Sequence, residues 1–385
     1  MNTQLPDLLI RAGRVCCAET DLDGPGAVAI RDGRIVASGP DVSGPAMESL
    51  EFLDCLLLPG LVDVHAHPAP TSWKYGTDPD SEMLRRGTTT ILSQGDAGAA
   101  TWDLYKREII EGSRTRVLLA ISPAVLGESE GRACFSNLAE VDVDACVAAI
   151  EKGGESIWGI AVNLSQASCA NTDPREVMNR TLAIAERTGK PLLFGARVDT
   201  LEWPLSDQMR LLRPGDVLTY CFRQSSQSIV ADGRILDSVR AARGRGVLFD
   251  VGHGMTSFDF GVAEAAIADG FFPDTISSDF YKRHQGSSPP HDLPRTVSKL
   301  ISAGMPERDA LAAATARSAE ILGLAGEVGT LAAGACADLA VLRWNPDAVP
   351  LADAAGNVRS GGCWEPVLTV RAGESVRAQR SEERR

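Results

Sequence analysis

Leu58-Pro59-Gly60-Leu61-Val62-Asp63-Val64-His65-Ala66-His67 is a short apolar strand that ends in two histidines one residue apart. Side chains alternate faces along a strand, so His65 and His67 share a face and both imidazoles point the same way. At the carboxyl end of a buried strand such a pair can grip a divalent metal. Pro59-Gly60 sets the entry to the strand and lets the backbone turn sharply. The chain has only 5 histidines in 385 residues, and two of them cap this one strand.

Downstream, short apolar runs recur, most of them followed by a stretch with helical spacing. The runs are Leu61–His65, Thr88–Leu92, Val117–Ile121, Trp158–Val162, Pro191–Gly195, Asp216–Cys221, Val247–Val251 and Thr275–Asp279. Helix candidates between them include Glu176–Thr188 and Asp232–Arg243. Eight strands alternating with helices predict an α/β fold, a (β/α)8 TIM-like barrel. A doubly wound open sheet would alternate similarly, but no G-x-G-x-x-G follows the first strand. A helix over Glu307–Leu322, with Pro306 before it and Gly323 after it, closes this region.

Both flanks read as β. Leu8 to Cys17 is mostly apolar with a turn expected at Ala12-Gly13, and Ala27–Ile30 with Ile35–Ala37 forms a hairpin around Asp32-Gly33. The stretch from Gly39 to Ala46 is a loop. Gly329–Leu342, then Trp364–Val370 with Glu374–Val376, are further β segments. The expected organisation is a small β-sandwich domain from residues 1–58 and 326–376, the barrel from 59–325, and a disordered tail from 377–385.

A net charge of −13 argues against nucleic acid or an anionic membrane as the main partner and reads as the acidity that keeps a cytoplasmic protein soluble, and the partner expected is a small-molecule substrate. No basic stretch followed by an apolar one opens the chain, and no uncharged run is long enough to span a bilayer. The 9 cysteines, an odd number without a C-x-x-C pair, read as free thiols, Cys16 and Cys17 included. A cytoplasmic protein is expected, with a homodimer on base rate alone.

Taken with Gly87-Thr88-Thr89-Thr90, Thr275-Ile276-Ser277-Ser278-Asp279 and Gly329–Leu339, the Pro59–His67 stretch resembles the amidohydrolase superfamily of metal-dependent hydrolases. Asp250-Val251-Gly252-His253-Gly254 and Gly95-Asp96-Ala97-Gly98-Ala99 resemble its dihydroorotase-like amidohydrolase/deacetylase branch. The resemblance runs over nearly the whole chain. It implies hydrolysis of amide or ester bonds, in cyclic amides or acyl compounds. It also implies six metal-binding groups: two histidines on strand 1, a lysine on strand 4, one histidine each on strands 5 and 6, and an aspartate on strand 8. His65, His67 and Asp279 stand at three of these positions. The other three depart from the pattern: Ala161 replaces the lysine, Gly195 (or Phe194 at a one-residue shift) the strand-5 histidine, and Tyr220 the strand-6 histidine.

Two imidazoles and a carboxylate suffice for one divalent metal, zinc first with iron or manganese as alternatives, and an open position for water. Alanine offers no ligand atom, so a second ion lacks its bridge. Asp279 is expected to take the water's proton and pass it to the leaving group. Tyr220 can donate to an oxyanion, and of Tyr220 and Cys221 only one faces the barrel mouth. Asn163, Arg197 and Asp96, near strand ends, are substrate-binding candidates. His253, on the turn after strand 7, is a candidate acid or base. His284 and His291 read as solvated loop residues.

The first expectation is therefore a metal-dependent hydrolase with an altered site. Its alternatives are a metal-independent lyase, isomerase or hydrolase on the same barrel, using no cofactor, and a non-catalytic ligand-binding homologue.

Overall fold

The computed structural model describes residues 4–129, 133–200 and 202–378. The chain opens with strands β1 (Leu8–Cys17), β2 (Leu22–Arg31), β3 (Arg34–Gly39) and β4 (Glu48–Pro59). Barrel strands follow: β5 (Leu61–Ala66), β6 (Thr88–Gln94), β7 (Arg116–Ile121), β8 (Ile157–Ser165), β9 (Leu192–Arg197) and β10 (Val217–Thr219). After a small hairpin of β11 (Val230–Ala231) and β12 (Arg234–Ile235) comes β13 (Leu248–Phe249). The chain ends with β14 (Leu339–Asn345), the short pair β15 (Leu351–Ala352) and β16 (Val358–Arg359), then β17 (Cys363–Arg371) and β18 (Glu374–Arg377).

The flanking strands form one seven-stranded sheet in the order β18-β17-β14-β4-β1-β2-β3. Its apolar face encloses Leu8, Ile10, Val28, Ile30, Leu57, Leu339, Val341 and Val370 in a single core. The two end hairpins meet: a Cβ on Gly33 would lie 2.9 Å from the Ala372 carbonyl oxygen, and one on Gly373 would lie 2.9 Å from the Gly33 Cα. The sandwich is thus one sheet folded back on itself. Of the tail expected from residue 377, Arg377 ends β18, and 379–385 lie outside the described residues.

Strands β5 to β10 and β13 form a parallel sheet in the order β13-β10-β9-β8-β7-β6-β5. With its helices this is a (β/α)8 barrel, although the eighth segment departs from the expected strand. Residues 275–280 make only single bridges, Asp250 with Thr275 on one side and Ala66 with Phe280 on the other. The hydroxyls of Thr275 and Ser277 turn toward Asp250 and that of Ser278 toward Asp63. Asp279 then takes a left-handed backbone (φ +47°), which breaks any ladder. Closure rests on individual bonds: the amides of His253 and Gly254 donate to the carbonyls of Ser277 and Ser278 at 3.2 and 3.0 Å, and the Asp279 amide donates to the His65 carbonyl at 2.7 Å.

Two other expectations need correction. The helix expected over Glu307–Leu322 is two helices, Glu307–Ala313 and Ala316–Ile321. The break frees the carbonyls of Ala313 and Ala314 to accept the Ile276 and Val62 amides at 3.1 and 2.9 Å, joining the helices to the barrel strands. The helix expected from Asp232 starts at Asp237, because Asp232-Gly233, both at positive φ, close the β11–β12 hairpin.

Register defines levels inside the barrel. Asn163 pairs with Gly195 and Gly195 with Thr219, near the carboxyl ends of β8, β9 and β10. One level deeper, Ala161, Leu193 and Val217 join Val62, Val64 and Leu92 in an apolar plug. The floor under the mouth is therefore dry, as in barrels whose sites sit at this end.

Candidate active site

His65, His67 and Asp279 each offer a ligand atom, and these atoms lie within 4.8 Å of one another. Among the described residues this is the one such cluster. Asp279 Oδ1 stands 3.6 Å from His65 Nε2 and 3.3 Å from His67 Nε2, and it is buried without a hydrogen-bond partner.

The groups behind each imidazole decide which nitrogen carries its proton. Thr219 Oγ1 donates its single proton to Asp250 Oδ2 at 2.7 Å, so it can only accept from His65 Nδ1 at 2.8 Å. Asp250 is fixed in turn by the hydroxyls of Thr275 and Ser277, each at 2.7 Å. His67 Nδ1 donates to Asp96 Oδ1 at 2.8 Å, while Ser93 and Ser129 donate to the same carboxylate at 2.7 and 2.8 Å. With both Nδ1 atoms protonated, both Nε2 atoms turn lone pairs toward the Asp279 carboxylate. Three lone-pair atoms facing one another call for a positive charge between them. The pKa of His67 records that pull: burial works against its charge, yet the Asp96 and Asp279 carboxylates outweigh it and raise the imidazole well above its ordinary range.

The strand-4 to strand-6 side explains the missing ligands. Gly195 faces the site, while Phe194 joins the outer core, so the glycine is the residue at the strand-5 position. A Cβ there would lie 2.7 Å from Tyr220 Cε2 and 2.9 Å from Asn163 Oδ1. The phenol has taken the space a side chain at 195 would need. Tyr220 Oη lies 3.4 Å from His65 Nε2 and accepts from Asn163 Nδ2 at 3.3 Å. The Arg197 guanidinium covers the phenol ring at 5.2 Å. Cys221 points the other way, into the outer core. Tyr220, like Asp279, holds a left-handed backbone (φ +65°). Such conformations cost about 1–3 kcal/mol each and persist where the surroundings impose them.

Known proteins resemble this chain in sequence and in fold. A family model described as the amidohydrolase family matches residues 294–377. A deacetylase of Brucella anthropi is 31% identical over 364 residues, covering 91% of this chain and 87% of the relative. A deacetylase of Agrobacterium fabrum is 32% identical over 363 residues, covering 91% and 86%. The chain belongs to the amidohydrolase superfamily. Among solved structures, a dihydroorotase superposes on this amidohydrolase with a TM-score of 0.86 at 27% identity, covering 98% of this chain and 99% of the other. An adenine deaminase gives 0.85 at 26% identity, covering 97% and 100%.

Within the amidohydrolase, several residues fall elsewhere than the sequence suggested. Asp96 is fully buried behind His67, with its oxygens engaged by His67, Ser93 and Ser129, so it orients a histidine and has no face for substrate. His253 is no free acid or base: Nδ1 donates to the Gly254 carbonyl at 2.6 Å and Nε2 meets Lys299 Nζ at 2.7 Å. Burial and the neighbouring lysine push its pKa well down.

His284 and His291 are buried, not solvated. Their rings stack at 4.2 Å, His291 lies 4.7 Å from His253, and Tyr281 links His284 (4.5 Å) to His67 (5.9 Å). All five histidines of the chain therefore line this site or its backing. Thr219, Tyr281, Glu128 and Lys299 went unmarked in the sequence, as did Tyr75, whose ring lies 5.0 Å from that of His67, and Asp250 was quoted only as part of the Asp250–Gly254 motif. Asp250, a charge closing an apolar run, was the one detectable signal.

Proposed function

We propose that this amidohydrolase hydrolyses the acyl–nitrogen bond of a small molecule, a deacylation of the kind its deacetylase relatives are named for, at one divalent metal centre with zinc as the ion. The observation that carries the reading is the convergence of His65 Nε2, His67 Nε2 and the partnerless Asp279 Oδ1 within 4.8 Å. Nitrogen and carboxylate donors in a set of three suit zinc, which takes its fourth ligand from water or substrate. Held there, the ion would polarise the acyl carbonyl and make water a competent nucleophile near neutral pH. A second ion is disfavoured, since Ala161 lies in the apolar plug and Tyr220 fills the space beside Gly195.

The chain's own groups divide the remaining work. The Asp279 carboxylate, through the oxygen not turned to the ion, accepts the proton of the attacking water. Burial pushes the Tyr220 phenol well above its ordinary range, so the phenol keeps its proton. Its Oη accepts from Asn163, and its O–H, which faces the His65 Nε2 lone pair at 3.4 Å, is free to donate to the acyl oxygen once that lone pair is engaged. Asn163 and Arg197 are the substrate contacts on this side. Arg197 Nη2 bonds Thr256 at 2.9 Å, and its other N–H groups serve a polar substituent.

Among the described residues no helix is long and apolar enough to cross a membrane. Nine free cysteines support a reducing, cytoplasmic setting, and the net charge of −13 disfavours nucleic acid.

The test is metal content by plasma mass spectrometry together with turnover of N-acyl amines. About one ion per chain is expected. His65→Ala and Asp279→Asn should lose both the ion and turnover. Full activity in verified metal-free protein would overturn the metal centre, and about two ions per chain would overturn its single-ion form.

A further inference from the structure

Glu128 follows β7 in the stretch Gly127-Glu128-Ser129. Its side chain folds inward and is almost wholly buried. The backbone locks it to the end of β6, since the Glu128 amide donates to the Gly95 carbonyl at 2.7 Å. Its side-chain partner among the described residues is an uncharged amide, Gln94 Nε2 at 3.2 Å from Oε1. A Cβ on Gly95 would come within 3.1 Å of this carboxyl, so the glycine leaves it room. The next residue, Ser129, bonds the Asp96 carboxylate that holds His67. Glu128 thus belongs to the His67 wall of the pocket, while Tyr220 stands against His65 on the other wall. Gln94 lies two residues beyond Leu92 of the apolar plug on the inward face of β6, so the amide bonded to this carboxyl stands at the barrel mouth.

We propose that Glu128 is a catalytic acid that protonates the leaving nitrogen, an inference that rests on the amide-hydrolase reading above. An acyl oxygen turned toward Tyr220 presents the amide nitrogen to the opposite wall, where this carboxyl stands. Burial pushes the acid up to about 7, against the pull of His67, so both its acid and its base form are populated at neutral pH. In the step, the water oxygen bonds the acyl carbon and one water proton goes to Asp279. The C–N bond then breaks, and its electron pair takes the proton from Glu128. The amine leaves, Asp279 releases its proton to solvent with the acid product, and Glu128 regains one from solvent. Gln94 is bonded to the acid, and the titratable groups whose charge acts on it or feels it are His67, Asp96, His65, Tyr220, Cys134 and Cys169.

The experiment compares wild type and Glu128→Gln on an alkyl amide and an activated aryl ester of the same acyl group, with metal content measured on both proteins. A good leaving group needs no proton. The variant should lose about 100-fold or more in kcat/KM on the amide and change by less than about threefold on the ester. Equal losses on both substrates, an undiminished amide rate, or a lower metal content in the variant would each overturn the proposal. Infrared difference titration of wild type against Glu128→Gln reads the acid independently of turnover. A carboxyl that titrates near about pH 7 supports the proposal, and one already ionised at about pH 5 overturns it. If neither substrate is cleaved by wild type, the amide-hydrolase reading fails, and the titration still judges the carboxyl.

Discussion

At the residue scale, the two imidazoles depend on what stands behind them. Asp96→Asn keeps the volume but removes the charge that holds the His67 ring and its tautomer. Loss of such an orienting group typically costs about 10- to 100-fold in metal affinity. Zinc titration against a competing chelator should show that loss with the fold intact, and unchanged affinity would remove Asp96 from its assigned role. Gly195→Ala tests the other wall: the added methyl meets Tyr220 Cε2 at 2.7 Å and must displace the phenol. We expect kcat to fall by about 10- to 100-fold with metal content unchanged, since displacements of about 1 Å cost rates of that order. Full activity would mean the phenol takes no part.

The histidine pair and Asp279 could be read in advance because a period-two pattern on apolar runs fixes both face and end. Glu128 could not. An isolated glutamate in a Gly- and Ser-bearing loop looks solvated until the barrel brings it against Gln94. Asp96 was found but misassigned, because a sequence does not say whether a carboxylate faces substrate or backs a ligand.

At the element scale, the helix Leu293–Ser302 is buried along almost all its length, and it carries Lys299 into the wall behind His253. Burial lowers this lysine to about 7. Between about 7 and the ordinary lysine value of 10.5 the unfolded chain binds a proton that the folded chain does not. Stability therefore rises with pH across that window, with a slope of up to about 1.4 kcal/mol per pH unit. Below the window both states are protonated and the contribution is flat. His253, held far below its ordinary value, stays neutral throughout. Urea unfolding at several pH values in the window should show the slope in wild type and its absence in Lys299→Met. Parallel curves for the two proteins would contradict the burial argument.

Regular elements were the legible ones. The β2–β3 hairpin falls where Asp32-Gly33 puts it, whereas β1 runs through the turn expected at Ala12-Gly13 with only a shift of register there. The eighth barrel segment misled because Thr275-Ile276-Ser277-Ser278 has strand-like composition, yet its hydroxyls serve Asp250 and Asp63 before any ladder. The break at Ala314-Thr315 was invisible because both neighbouring helices are rich in alanine, and only the barrel strands demand the freed carbonyls.

At the scale of the whole molecule, the first and last segments share one sheet, and the barrel between them carries the chemistry at one end. Trp364 in β17 donates its amide to Ser298 Oγ of the barrel helix at 2.9 Å, so the sandwich and the barrel are pinned to each other. The chain's five imidazoles all collect around one end of the barrel, and none is spent on the outer surface. A sample labelled with nitrogen-15 at histidine alone would therefore give a magnetic-resonance spectrum in which every line comes from the site or its backing. Ion uptake, tautomer and protonation could each be followed there, free of background from the rest of the protein.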